Sequence, residues 1–200
     1  MNFSKYYILT ESVLRVDVKQ IDEWISRNGK ELLEKINDTK FESYIEEPIK
    51  LNNPYTAKNE EIKIDIKPKL FGREEVIYGR YIKDDNRVEL YSTAFRGSNA
   101  KKMKDLRMML IHELTHALDP NPLKNKENYK TNEQYFNHPY EFNAYASQFI
   151  DKLKNMKVDK EKIKKLDFGE KEINSWFHKL LTADNKKKFI KYVYQHILGA

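Results

Sequence analysis

The chain has 200 residues, with 37 basic and 31 acidic side chains, five histidines and no cysteine. That length can bury a full core as one domain, and the absence of thiols excludes a disulfide framework and any thiolate metal site, leaving His, Asp and Glu as metal donors. No run of about 18 apolar residues occurs, and Met1–Thr10 lacks a long apolar core before Glu11; the expectation is a soluble, cytoplasmic protein with no membrane span and no Sec-type signal, release or packaging by another route left open.

In chain order, Tyr6–Leu9 reads as a short strand. Asp17 to Gln20 has the spacing of a capping box, and Ile21, Trp24, Ile25, Leu32, Leu33 and Ile36 trace one apolar face of a helix over 18–37. Residues 38–60, with Pro48, Asn52, Asn53 and Pro54, read as a long polar connection. Ile62, Ile64 and Ile66 alternate with charged residues as in a strand, and 75–82 and 87–91 flank a turn at Lys83–Asn86, predicting a hairpin. After a loop at 94–99, Leu106, Met109, Leu110, Leu114, Ala117 and Leu118 recur at helical spacing over 100–119, until Pro120 and Pro122 stop the helix.

Residues 120–138 read as a polar loop. Pro139 at a first helical position opens a helix whose apolar face runs through Phe142, Tyr145, Ala146, Phe149, Ile150 and Leu153. Two further amphipathic helices follow, one carrying Ile173, Trp176, Phe177, Leu180 and Leu181, the other Phe189, Val193, Tyr194 and Ile197 before a stop at Gly199. His178 and His196 on them read as structural or surface residues. The pattern predicts one α+β domain over 1–200: an N-terminal helix and connection (1–60), a core (61–157) and a helical extension (158–200), built on a small, twisted, mainly antiparallel sheet.

The charge is uneven. Residues 1–100 carry 17 basic against 18 acidic groups, and residues 101–200 carry 20 against 13. A basic half can attract nucleic acid or an anionic surface. These lysines, however, are interleaved with Glu and Asp and lack an Arg-aromatic pattern, so they read as solvated helix faces.

The chemistry lies in Ile111-His112-Glu113-Leu114-Thr115-His116, the HExxH zinc pattern. On a helix, two imidazoles four residues apart project from one face and can grip one ion. Glu113, rotated away from them, is a general base for water. A catalytic zinc needs a third protein ligand. Asp119 lies on the same helix and suits a role behind His116 better than a place on the ion. Glu141, on a separate helix 25 residues beyond His116, can approach from another direction and is the expected third ligand, with His138 and Glu133 as the alternatives.

The combination His112-Glu113-x-x-His116 with Glu141-Phe142-Asn143-Ala144-Tyr145-Ala146 resembles the zincin metallopeptidases that use glutamate as third ligand. Locally it is similar to the anthrax lethal factor-like proteases, through Asp119 and the Glu-Phe-x-Ala stretch, and to regulatory metallopeptidases of mobile elements. The likeness covers roughly residues 76–150. It implies a zincin-like fold and one Zn²⁺ per chain on His112, His116 and Glu141, with Glu113 as base. It further implies a Tyr or His near the third ligand that stabilises the oxyanion. Tyr135, His138 and Tyr140 are candidates, with Tyr135 favoured by its six-residue offset from Glu141.

The expected function is therefore a zinc metallopeptidase acting on peptide or protein substrates, an endopeptidase holding extended peptide on an exposed sheet edge formed by the strand just before the metal helix. Two other classes compete: a zinc-stapled, inactive structural or interaction protein, and a nucleic-acid-binding regulator acting through the Lys-rich C-terminal helices.

Overall fold

The computed structural model describes residues 16–68, 78–119, 129–156 and 158–198. The expected strand at Tyr6–Leu9, residues 75–77 of the expected third strand, and the stops at Pro120, Pro122 and Gly199 lie outside them. Contacts divide the chain into two compact units, residues 1–120 and 121–200.

The first unit opens with helix α1, Val18–Asn37. Asp17 caps it, its carboxylate accepting from the Lys19 amide at 3.0 Å, but the reciprocal half of a capping box does not form. The Gln20 side chain instead accepts from the Asn52 amide at 3.2 Å, tying the helix start to the sheet. Ile21, Trp24, Leu32 and Ile36 are buried along one face, as their spacing predicts.

Strand β1, Ser43–Asn52, lies within what the sequence presents as a connection. It pairs antiparallel with β2, Asn59–Lys67. Pro48 hides the strand from a period-two reading. It sits in an irregularity where Ile45 pairs with Ile64 and Ile49 with Ile62, four residues on β1 against two on β2. An edge strand tolerates such a break because its outer amides need no partner in the sheet. The irregularity is used: the Glu47 carbonyl accepts from Trp24 Nε1 at 2.8 Å, and its carboxylate takes Arg27 and Asn28, which fastens α1 to β1.

Strands β3, Gly79–Ile82, and β4, Arg87–Tyr91, form the expected hairpin, turned through Asn86 at φ 46°. Strand β4 pairs parallel with β2, giving a four-stranded mixed sheet in the order β1-β2-β4-β3. Ile45, Ile49, Leu51, Ile62, Ile64, Ile66, Val88 and Leu90 join one core with α1 and the next helix. Gly79 permits the close approach of that helix to β3: a Cβ there would lie 3.0 Å from the Glu89 carbonyl and 3.2 Å from Met109 Cγ.

A turn of 3-10 helix, Ser92–Ala94, leads from β4 to Gly97 at φ 98°, a conformation suited to glycine. Ser98 then caps α2, Asn99–Ala117, through its hydroxyl and the Lys101 amide.

The second unit begins, among the described residues, with α3, Asn132–Asn137, capped by Thr131 and lying in the stretch expected to be loop. His138 ends α3 and also precedes α4, Pro139–Asn155. A residue before proline is pushed out of the helical region, so the chain must bend at His138, and its ψ of 132° is that bend. Beyond α4 come α5, Lys160–Lys164, α6, Lys171–Ser175, and α7, Ala183–Val193, with wide single turns at Trp176–Leu180 and Tyr194–Leu198. Phe142, Phe149, Phe168, Trp176, Phe177 and Phe189 form their aromatic core. The architecture is α+β. No helix of the described residues is long and apolar enough to cross a membrane.

Candidate metal centre

Helix α2 buries Leu106, Leu110, Ile111, Leu114 and Leu118 in the sheet core. That side fixes the rotation of the helix, and the rotation determines where the polar residues of its last two turns point. His112, Glu113 and His116 are 6%, 5% and 5% exposed, unusual burial for three polar side chains in five positions. Thr115, also buried, returns its hydroxyl to the Ile111 carbonyl at 2.7 Å and so needs no other partner.

The two imidazoles cross nearly at right angles, centroids 4.7 Å apart, and Nε2 of His112 lies 3.1 Å from Nε2 of His116. With one Nε2 protonated this is an N–H···N hydrogen bond. With neither protonated, two lone pairs converge. Nitrogens 3.1 Å apart can each stand about 2.05 Å from one ion at an angle of roughly 100°, close to tetrahedral.

Glu141 completes a buried group with them: one donor atom from each of His112, His116 and Glu141 lies within 4.8 Å of the other two. Asp119, Glu133 and His138 do not belong to this group. Two imidazoles and a carboxylate, with no thiolate, suit zinc and other divalent first-row ions, so the residues present could hold a metal ion.

The α3–α4 bend builds the surroundings of Glu141. Glu141 stands in the first turn of α4, where unpaired amides favour a carboxylate. Tyr135, one turn before the bend, directs its hydroxyl to the Glu141 carboxylate and also to Tyr145; burial, then the charge of Glu141, push the phenol pKa far up. His138 packs against the Tyr129 ring at 5.6 Å. Tyr140 is half-buried beside Glu141.

Around Glu113, Tyr91 at the end of β4 is the notable neighbour. Burial, then a hydrogen bond to Glu89 at 3.0 Å, push the Tyr91 phenol pKa well up, with a smaller contribution from the charge of Glu113. Glu113 makes no side-chain hydrogen bond or ion pair among the described residues.

Sequence reasoning missed Tyr145 and the Glu89–Tyr91 pair. Tyr145 is four residues after Glu141, so their shared face was legible, but its spacing also fits the apolar stripe of α4 and reads as core. Nothing in the sequence flags Glu89, whose burial depends on β3 pairing. Compared with family models, with curated proteins and with solved structures, the chain matches none of them.

Proposed function

We propose that this chain is a zinc-dependent metallopeptidase in which His112, His116 and Glu141 hold the ion and Glu113 is the general base. The observation that carries the reading is the convergence of two imidazoles and one carboxylate in a buried group, with a further buried carboxylate, Glu113, next to the first histidine in sequence. A structural site would have no need of Glu113, which is not a ligand.

Zinc, when bound, supplies Lewis acidity to a carbonyl oxygen and makes water a stronger acid. Glu113 accepts the proton of the attacking water on a carboxylate oxygen and delivers it to the departing amine nitrogen. His112 and His116 must be neutral at Nε2 to serve as ligands, and Glu141 ionised. Tyr135 donates to Glu141; the oxyanion role that the zincin resemblance implies for it would need the same single proton. Strand β4, just before α2, is paired on both sides and is not the edge expected for peptide; β3, next to it and beside α2, is the edge strand and offers main-chain groups to an extended peptide. The mixed sheet, the HExxH helix and a glutamate-bearing helix together support the zincin-like reading.

The test is metal content together with cleavage of a broad peptide library by wild type and Glu113→Gln. The proposal expects one zinc per chain in both proteins and turnover in wild type alone. Equal turnover would overturn the role of Glu113. Zinc in both with turnover in neither would favour a metal-stapled interaction protein.

A further inference from the structure

We propose that Arg80 gives the edge strand its substrate preference: it takes an acidic side chain, Glu or Asp, of an extended peptide laid antiparallel along β3. This rests on the peptidase reading above and adds the class of substrate to it.

The two edges of the sheet are not alike. On β1, helix α1 takes main-chain groups at three places: Lys35 donates to the Tyr44 carbonyl, Trp24 Nε1 donates to the Glu47 carbonyl at 2.8 Å, and the Asn52 amide donates to Gln20 at 3.2 Å. Cover of this kind blunts an edge. On β3 the alternation of the ladder decides which groups are open. The Tyr91 amide donates to the Tyr78 carbonyl at 2.9 Å, in the register that sets Gly79 opposite Leu90 and Arg80 opposite Glu89. Hydrogen-bonded pairs alternate with non-bonded pairs along an antiparallel ladder. Arg80 and Ile82 therefore turn their main-chain groups to β4, and Gly79 and Tyr81 turn theirs outward. Among the described residues no strand pairs with that side of β3.

An antiparallel peptide bonded to Gly79 and Tyr81 places the residue between its two bonded positions directly opposite Arg80. That is a non-hydrogen-bonded pair, the kind that brings side chains closest, with Cα atoms about 4.5 Å apart. The two side chains share one face of the sheet, so the charge of Arg80 acts on this residue of the peptide.

The guanidinium is held ready for an anion. Its Nε and Nη2 both reach Oε2 of the buried Glu89 at 2.8 Å. Nη1 makes no hydrogen bond or ion pair among the described residues, and the side chain is 47% exposed. A guanidinium fixed on one side and open on the other needs little further ordering to bind a carboxylate. Arg87, the other cation on Glu89, is occupied by Asp85 at 3.1 Å and Asp65 at 3.5 Å as well. Glu89 offsets part of the Arg80 charge, so the preference is a matter of several-fold.

Internally quenched peptides that differ only in carrying Glu, Gln or Lys at one position are scanned position by position. The ratio of kcat/KM between them is measured for zinc-loaded wild type and for the double variant Arg80→Gln, Glu89→Gln, which removes the charge without leaving a carboxylate buried alone. A ratio within one protein cancels any general loss of activity. In wild type one position should favour Glu over Gln by about two- to fivefold and over Lys by about tenfold, as expected for charges facing across paired strands. The preference should shrink as salt is raised. In the double variant the ratio at that position should fall to about one. Cleavage with no position that favours Glu overturns the inference and leaves the peptidase reading standing. An undiminished Glu preference in the double variant also overturns it, by assigning the preference to another cation. Zinc-loaded wild type that cleaves no peptide removes the peptidase reading and this inference with it.

Discussion

The side-chain amide of Asn185 donates to both oxygens of Asn137, to Oδ1 at 3.0 Å and to the backbone carbonyl at 3.2 Å. Asn137 is the last residue of α3, two before the proline that starts α4. Its own amide reaches the Leu180 carbonyl at 2.6 Å, and its Oδ1 accepts from the Thr182 amide at 2.8 Å. One side chain thus ties the start of α7 to the bend that sets Tyr135 against Glu141. Asn137→Leu leaves these groups without their partner and should cost about 1–3 kcal/mol, the penalty for orphaned polar groups. Urea unfolding should show a lower midpoint with an unchanged slope. A variant as stable as wild type would show that the tie is idle.

Glu89 governs a pH dependence. Burial pushes its carboxyl pKa up, but hydrogen bonds from Arg80 and Tyr91 and the charges of Arg80 and Arg87 outweigh burial and hold it below the ordinary glutamate range. A depressed folded pKa contributes stability that is full above the unfolded value, about 4.3, and is lost as pH falls through the folded value. Arg80→Met removes the largest opposing partner and raises the folded pKa. Its melting temperature should therefore fall further behind wild type at pH 7 than in acid below the folded pKa of Glu89, where protonation removes the advantage from both proteins. A gap independent of pH would contradict this account.

How much of this was legible in the sequence depended on whether a single face or a single spacing carried the signal. Helix α1 and the β3–β4 hairpin were readable because Ile21, Trp24 and Ile36 repeat on one face and Lys83–Asn86 is turn-forming. His112, Glu113 and His116 were readable because helical spacing alone puts the two histidines together. Strand β1 was not, since Pro48 and the irregularity around it erase the alternation that defines a strand. Helix α3 is too short to show a period, and α5, at five residues, offered as little, whereas α6 and the wide turn after it carry Ile173, Trp176 and Phe177, whose spacing was readable.

Gly79 tests the placement of α2 on the sheet. A methyl group there meets the Glu89 backbone carbonyl at 3.0 Å, Leu90 Cδ2 at 3.2 Å and Met109 Cγ at 3.2 Å. Met109 can move, but the carbonyl belongs to the β3–β4 pairing and cannot yield cheaply. Gly79→Ala should therefore destabilise by about 1–3 kcal/mol, the usual range for overpacking. Because α2 carries the histidines, zinc affinity should fall with it. Unchanged stability would mean that β3 accommodates a side chain by moving away from the helix.

Holding a metal and using it can be told apart without a substrate. A ligand that binds only the folded protein stabilises it by about 2.7 kcal/mol at a hundredfold excess over its dissociation constant. For a chain of this size that corresponds to a rise of roughly 5–10 °C in melting temperature. Wild type and Glu113→Gln should both show the full rise on adding zinc, because Glu113 lies outside the group of donor atoms. His112→Ala should show almost none, since it removes one of the two nitrogens that stand 3.1 Å apart. Glu141→Ala should show a reduced rise, because the imidazole pair survives without its carboxylate. The rise in wild type should shrink as pH is lowered, since protons compete with the ion for the imidazoles and the carboxylate. Thermal unfolding with and without zinc, repeated after chelator, checks all four proteins in one series. A zinc response in His112→Ala equal to that of wild type would mean that the ion binds elsewhere. Loss of the response in Glu113→Gln would make that carboxylate a ligand and remove the base from the proposed reaction.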